Sequence, residues 1–357
     1  MGSAPENLNE RVLERCAALG FALAGVCDAR ASDFILPLRD WIAAGKHGSM
    51  GYMAEHAAVR EDPGRVLPGA RSAVVVADLY ATRDDNADEP LKPGEGRIAR
   101  YARGRDYHTV LRKRLIRLVD ELRAEFPEAG EGAFRVFTDT APVMERELAA
   151  RAGLGWTGKH TLLIHPKLGS YFLLGGILTT LELQPPASQG VVTDHCGSCT
   201  RCIDACPTGA ITPYSVDARK CVSYLTIERR EPVDPGLFEG FRDWVYGCDI
   251  CQEVCPHNSA RGEMPLSKAA NPAYGSQRDR FDLLAVLGWD EQARSAAFTG
   301  SAMKRARLDM MRRNAVIVAG NWLQQEEVPG LRSRLEAIAG DAGEVEMVRE
   351  AAAAVLG

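Results

Sequence analysis

Three observations predict an α+β protein built in three consecutive parts. Helical and strand periodicities alternate over residues 1–185, eight of the ten cysteines crowd into residues 186–265, and residues 266–357 are patterned as helix. The first part is expected as a mixed α/β domain. The second is expected as a metal module in which clusters replace a hydrophobic core, and the third as a short stack of antiparallel helices.

In chain order, LNERVLERCAALGF reads as an amphipathic helix closed by Gly20, and SAVVVADLY as a buried strand. An acidic, proline-bearing loop, TRDDNADEPLKPGEG, leads to a basic helix, DYHTVLRKRLIRLVDELRAEF. FRVFTDT is the next strand. APVMERELAARAGLG is predicted as a helix with Pro142 in its first turn and glycines at its end. TLLI and YFLLGGILTTL complete the layer. Beyond residue 275, RLDMMRRNAVIVAGNWLQQ, GLRSRLEAIAG and EVEMVREAAAAVL resemble a helical-repeat unit of the HEAT kind, too few for a long solenoid.

Composition narrows the function. With 46% hydrophobic and 25% charged residues over 357 positions, the chain can bury a full core and is not of disordered type. A net charge of -5 excludes a protein that coats nucleic acid over its whole surface and confines any polyanion site to a local patch. The first thirty residues carry neither an export signal nor a twin-arginine pair, so a cytoplasmic location, no membrane partner and a monomer are expected. The most apolar stretch is broken by His165 and Lys167 short of a membrane span.

Cysteines in such a compartment stay reduced and serve metals or catalysis. Cys16 and Cys27 stand alone and read as small buried hydrophobes. The run Cys196-Gly-Ser-Cys199-Thr-Arg-Cys202-Ile-Asp-Ala-Cys206-Pro207 is the full cluster-binding pattern, whose first three thiolates hold one 4Fe-4S cube while the fourth reaches the other. The second run, YGCDICQEVCP, has Val245 where its first cysteine belongs. The crossover assigns Cys196, Cys199, Cys202 and Cys255 to cluster 1, and Cys206, Cys248 and Cys251 to cluster 2. Cys221, the remaining cysteine of this ferredoxin-like module, is expected to complete cluster 2. A pair of zinc ribbons is the alternative, but zinc sites usually carry two separated knuckles rather than three evenly spaced cysteines ending in Cys-Pro.

Several longer motifs, in one order, carry a resemblance. HGSMGYM, REDPGRVLPGARS, RIARYARGRDYH, DTAPVMERELAARAGLGWTGKHTLLI, YGCDICQEVCPHN and MRRNAVIVAGN resemble the epoxyqueuosine reductases over most of the chain. The resemblance implies base-off cobalamin in the N-terminal domain, reduced through two 4Fe-4S clusters by a flavodoxin or ferredoxin. It also implies reduction of epoxyqueuosine to queuosine, with release of water, at the wobble base of tRNA. Asp139 matches the family's proton donor. From the residues alone it stands between a strand and a helix, where an N-cap aspartate is the alternative and where the helix N-terminus favours the carboxylate. Desolvation by corrin and nucleoside must therefore raise its pKa.

Arg60, Tyr101, Tyr107, His108, Lys159, His160, Ser170, Ser223 and Asp249 are the further residues expected about the cofactor or substrate. The chain departs from the family's frequent pattern at His160, where Asn is common, and at Gly175-Gly176, where Gly-Glu is common. For tRNA, residues 97–123 carry nine basic residues against three acids, and KRARLDMMRR offers Lys304, Arg305, Arg307, Arg312 and Arg313. A corrinoid reductive dehalogenase and a ferredoxin-like electron carrier are the alternative readings. Exported dehalogenases carry a twin-arginine signal, and a bare carrier has no use for the DTAP to GKH region.

Overall fold

The computed structural model describes residues 8–82, 89–186, 189–258 and 269–357. Most of the acidic tract in TRDDNADEP and the expected boundary at 265/266 lie outside them.

SAVVVADL forms the strand Ser72–Leu79, and every one of its residues is buried. Alternation explains this. Val74 and Val76 face a core shared with the helices Leu8–Ala18 and Tyr107–Glu125, through Val12, Cys16, Leu111, Leu115 and Leu118. Ala73, Val75 and Ala77 face the opposite core, with Cys27, Phe137, Leu148 and Leu154. Each fully buried valine or leucine contributes about 1.5–3 kcal/mol, so a sheet covered on both faces holds the N-terminal part together.

The sheet order is Leu23–Asp28, Ser72–Leu79, Phe172–Thr179, Phe134–Phe137, and every neighbouring pair is antiparallel. The rule that places ligands at the carboxyl edge of parallel sheets therefore has no bearing on Asp139. Leu163–Ile164, expected in this layer, instead forms a short hairpin with Trp156–Thr157. The expected helix at Pro142 also begins later, at Glu145, and runs to Arg151. The reason is local backbone: Met144, the residue before the helix, has ψ 71°, outside the helical range, so the helix does not extend back through it to Pro142.

A three-stranded sheet joins the three expected regions. Glu95–Ile98 lies between Trp244–Tyr246, parallel to it, and Arg280–Asp282, antiparallel. Each region contributes one strand. One hydrophobic core runs from Ile98 through Val222, Tyr246 and Phe281 to the helices Leu308–Leu323, Leu331–Gly340 and Glu346–Leu356. Among the described residues, no helix is long and apolar enough to cross a membrane.

The motif MRRNAVIVAGN is a splint within this core. Arg313 is fully buried and donates to the carbonyls of Arg229, Glu231 and Leu225 at 2.6 to 2.9 Å. Asn314 donates to the carbonyls of Thr226 and Val245, and Asn321 to those of Phe238 and Arg242. These bonds clamp the chain between Cys221 and Cys248. The expectation that Arg313 meets tRNA phosphate is thus corrected, because its guanidinium has no exposed surface and its donors are spent on carbonyls. Arg313→Met should lower stability by about 3 kcal/mol, since it leaves several buried carbonyls unpaired. Chemical denaturation of the full chain measures this, and an unchanged midpoint would refute the splint.

Candidate active site

The eight cysteines of the module are free thiols that fall into two groups. Cys255, whose thiol burial pushes up to about 11, lies within electrostatic reach of Cys196, Cys202 and Cys199. Cys221 is in reach of Cys206, Cys248 of Cys251 and Cys221, and Cys251 of Cys221 and Cys206. This is the same division that the crossover makes. Cys251 also feels Cys202, so the two groups adjoin. Among the described residues, no three His, Cys, Asp or Glu side chains converge closely enough for a single ion.

The second thiol group forms part of the wall of a large cavity. The space, about 1310 Å³ including its open mouth, meets Cys206, Cys221, Cys248 and Cys251 on one side. Leu162, Leu163, Phe172 and Leu174 supply apolar wall. Of the residues singled out from sequence, Tyr101, His160, Ser170, Ser223 and Asp249 line it. An extended apolar wall with polar groups at intervals and a thiol tetrad alongside suits a wide corrin with amide side chains.

His160 is the wall residue with most to offer. Burial holds its imidazole down at about 4, so it is neutral at pH 7. Nδ1 accepts from the Leu162 amide at 3.2 Å, which leaves the proton on Nε2, buried and without a partner among the described residues. Asn at this position would also present an N–H, so the departure at His160 conserves a donor. The departure at Gly175-Gly176 belongs to packing instead: a Cβ on Gly176 would lie 2.6 Å from the Phe137 ring, its cross-strand neighbour.

Ser170 and Asp249 reach the cavity while bonded elsewhere. The Ser170 hydroxyl accepts from Gln252 at 3.1 Å and Asn258 at 2.8 Å, and Asn258 Oδ1 accepts from the Ser170 amide. Tyr80 donates to Gln252 and completes a buried network between the central sheet and the cluster module. Gln252 and Asn258 carry no expectation from sequence, although both stand in YGCDICQEVCPHN close to the cysteines. Asp249 is buried, accepts from the Arg100 amide at 2.7 Å, and has its carboxyl pushed up to about 6 by that burial.

Asp139, His108 and Tyr107 form a separate cluster. Asp139 Oδ2 accepts from the Tyr107 hydroxyl at 3.0 Å and lies 3.0 Å from His108 Nε2. His108 Nδ1 lies 2.9 Å from Asp106, so the imidazole bridges two carboxylates. Burial pushes the Asp139 carboxyl up, but the bonds from His108 and Tyr107 outweigh it and hold the group below its usual range. On His108 burial acts downward and loses to the two carboxylates, which raise its pKa. Both shifts favour the imidazolium–carboxylate form of the pair. Asp139 is not an N-cap, since the helix begins six residues later and has no side-chain cap.

The remaining basic residues take defined places. Arg60 donates to the Val143 carbonyl at 3.2 Å and braces the loop behind Asp139. Lys159 donates to the carbonyls of Gly197 and Cys199 at 2.6 and 3.0 Å, gripping the first cysteine loop rather than lining the cavity. Arg305 pairs with Glu228, lies over the Tyr52 ring, and is within electrostatic reach of Asp139. Arg307 pairs with Asp309, while Arg312 is mostly buried against Glu344. Lys304, Arg305 and Arg307 are the exposed part of KRARLDMMRR.

Two thiol tetrads, one of them walling a deep cavity, define a two-cluster iron–sulfur oxidoreductase. Residues 195–258 match the family described as 4Fe-4S double cluster binding domain, and residues 60–140 match that described as Epoxyqueuosine reductase QueG, DUF1730. The epoxyqueuosine reductase of Leadbetterella byssophila is 39% identical over 307 residues, covering 85% of this chain and 95% of that protein. The chain belongs to the epoxyqueuosine reductase family, oxidoreductases of queuosine biosynthesis. Two solved structures agree in fold over nearly the whole chain. An epoxyqueuosine reductase solved with an epoxyqueuosine-modified tRNA stem loop is 27% identical, with TM-score 0.81 over 98% of this chain and 89% of that one. The enzyme of Bacillus subtilis, solved with its catalytic aspartate loop swung out of the active site, is 26% identical, with TM-score 0.80 over 97% and 88%.

Proposed function

We propose that this protein reduces epoxyqueuosine to queuosine in the anticodon of tRNA, with base-off cobalamin in the cavity and a 4Fe-4S cluster on each thiol tetrad. The observation that carries this reading is the cavity wall itself, where Cys206, Cys221, Cys248 and Cys251 border the space. Cobalamin bound there would supply a nucleophilic metal centre that collects two electrons. The chain supplies the rest. Gly197 and Ser198 expose the loop between Cys196 and Cys199, so electrons from a flavodoxin or ferredoxin enter at cluster 1 and pass to cluster 2, in keeping with the proximity of Cys202 to Cys251. Tyr101, Ser223 and the His160 N–H hold the cofactor.

Asp139 delivers a proton to the opened epoxide oxygen, and His108 keeps that proton in store. In the open site water stabilises the ion pair. A bound base would displace that water, the lower dielectric then favours the neutral pair, and the proton moves from Nε2 to the carboxylate. The exposed Lys304, Arg305 and Arg307 position the phosphates, while specificity rests on the extruded base. Anaerobic turnover of epoxyqueuosine-containing tRNA by reconstituted protein, with and without cobalamin, tests the reading. Queuosine is expected only in the complete mixture; none from protein with intact clusters and bound cobalamin would refute it.

A further inference from the structure

Trp156 lies in the short hairpin whose partner strand is Leu163–Ile164, and only 3% of it is exposed. Its ring packs with Ile164 and Cys255, and Cys196 lies against the same cluster. The rings of His195 and His257 stand edge-on to it at 5.1 and 4.9 Å. Its indole N–H is buried and has no hydrogen-bond partner among the described residues. Leaving such a donor unpaired costs about 1–3 kcal/mol, and an orphan of this kind calls for an acceptor. Cys196 and Cys255 belong to the first thiol tetrad, whose cluster would carry negatively charged sulfurs against this face of the indole. Lys159, three residues further on, brings its ammonium to the carbonyls of Gly197 and Cys199 on the same loop.

We propose that the Trp156 indole N–H donates a hydrogen bond to a sulfur of the cluster held by Cys196, Cys199, Cys202 and Cys255. With the Lys159 charge, that bond raises the reduction potential of this cluster and makes it the electron-accepting end of the pair. The proposal rests on the two-cluster reading. Hydrogen bonds to cluster sulfurs and nearby positive charge stabilise the reduced, more negative state. A phenylalanine at position 156 keeps the ring packing and removes the donor; glutamine at 159 removes the charge while keeping a hydrogen-bonding end.

The test uses the full chain, reconstituted with iron and sulfide, carrying 15N in its tryptophan indoles and reduced by one electron. Pulsed EPR is expected to show a 15N hyperfine coupling on one cluster that disappears in Trp156→Phe. Potentiometric titration is expected to show that cluster harder to reduce in Trp156→Phe, by about tenfold in its reduction equilibrium, or ~59 mV for one electron. Lys159→Gln should shift the same cluster in the same direction and leave the other cluster in place. No 15N coupling in the unsubstituted protein with both clusters assembled would overturn the proposal even if Trp156→Phe failed to fold. Identical potentials with and without the indole N–H would overturn it too. A chain that bound no iron at all would remove the two-cluster reading, and this proposal with it.

Discussion

Asp139→Asn is expected to keep both clusters and bind cobalamin as the unsubstituted chain does, yet turn over about 10²–10⁴-fold more slowly. Among the described residues, the carboxylate is not on the cavity wall and meets Tyr107 and His108 through Oδ2. An amide therefore fits without disturbing the cofactor. What it removes is an acceptor that shares a proton with His108. The same geometry gives a pH dependence. His108 has its pKa raised above the ordinary value near 6.5 by the carboxylates of Asp139 and Asp106. The imidazolium is present below that raised pKa and lost as pH rises through it, so the rate should fall on the alkaline side. His108→Gln should lower the rate and abolish that alkaline limb while sparing cobalamin affinity. Unchanged turnover of Asp139→Asn would remove it as the acid, and an unchanged profile in His108→Gln would remove the proton store.

What was legible in the sequence follows from which constraints are local. Cluster ligands are spaced by the size of the cube they wrap, so the runs at Cys196 and Cys248 announce themselves. The buried strand at Ser72 and the basic helix at Tyr107 are likewise written in their periodicity. Strand direction is not written there, and the antiparallel order of the central sheet had to come from the fold. Glu95–Ile98, Trp244–Tyr246 and Arg280–Asp282 are too short to show a period, so the sheet that joins the three regions was invisible. Pro142 suggested a helix start because proline suits the first turn, but the non-helical backbone at Met144 delays the helix to Glu145. Arg313 looked like surface because runs of charge usually are. Only the fold reveals the carbonyls that surround it.

Cys221→Ala is expected to lose roughly half of the bound iron, because a cube deprived of one of four thiolates is not retained while the other tetrad is untouched. The loss should be confined to the cluster beside the cavity, leaving one reducible cluster and no turnover. Fold is not at stake, since Cys221 has no side-chain capping bond to the helix Val222–Ile227 that it precedes, and Arg313 and Asn314 hold that helix through the carbonyls of Leu225 and Thr226. The position where the second cysteine run lacks its first member explains why the proposed ligand would come from so far upstream. Val245 is wholly buried in the strand Trp244–Tyr246 and packs so closely over Gly96 that a Cβ there would come within 2.9 Å of its own. Its side chain is committed to the core that joins the module to the helices. Val245→Cys in the Cys221→Ala background should therefore fail to restore the missing iron. Iron and acid-labile sulfide analysis of the two proteins decides the matter. Full iron in Cys221→Ala would place the eighth ligand elsewhere, and rescue by Val245→Cys would mean that the strand can turn its side chain toward the cluster.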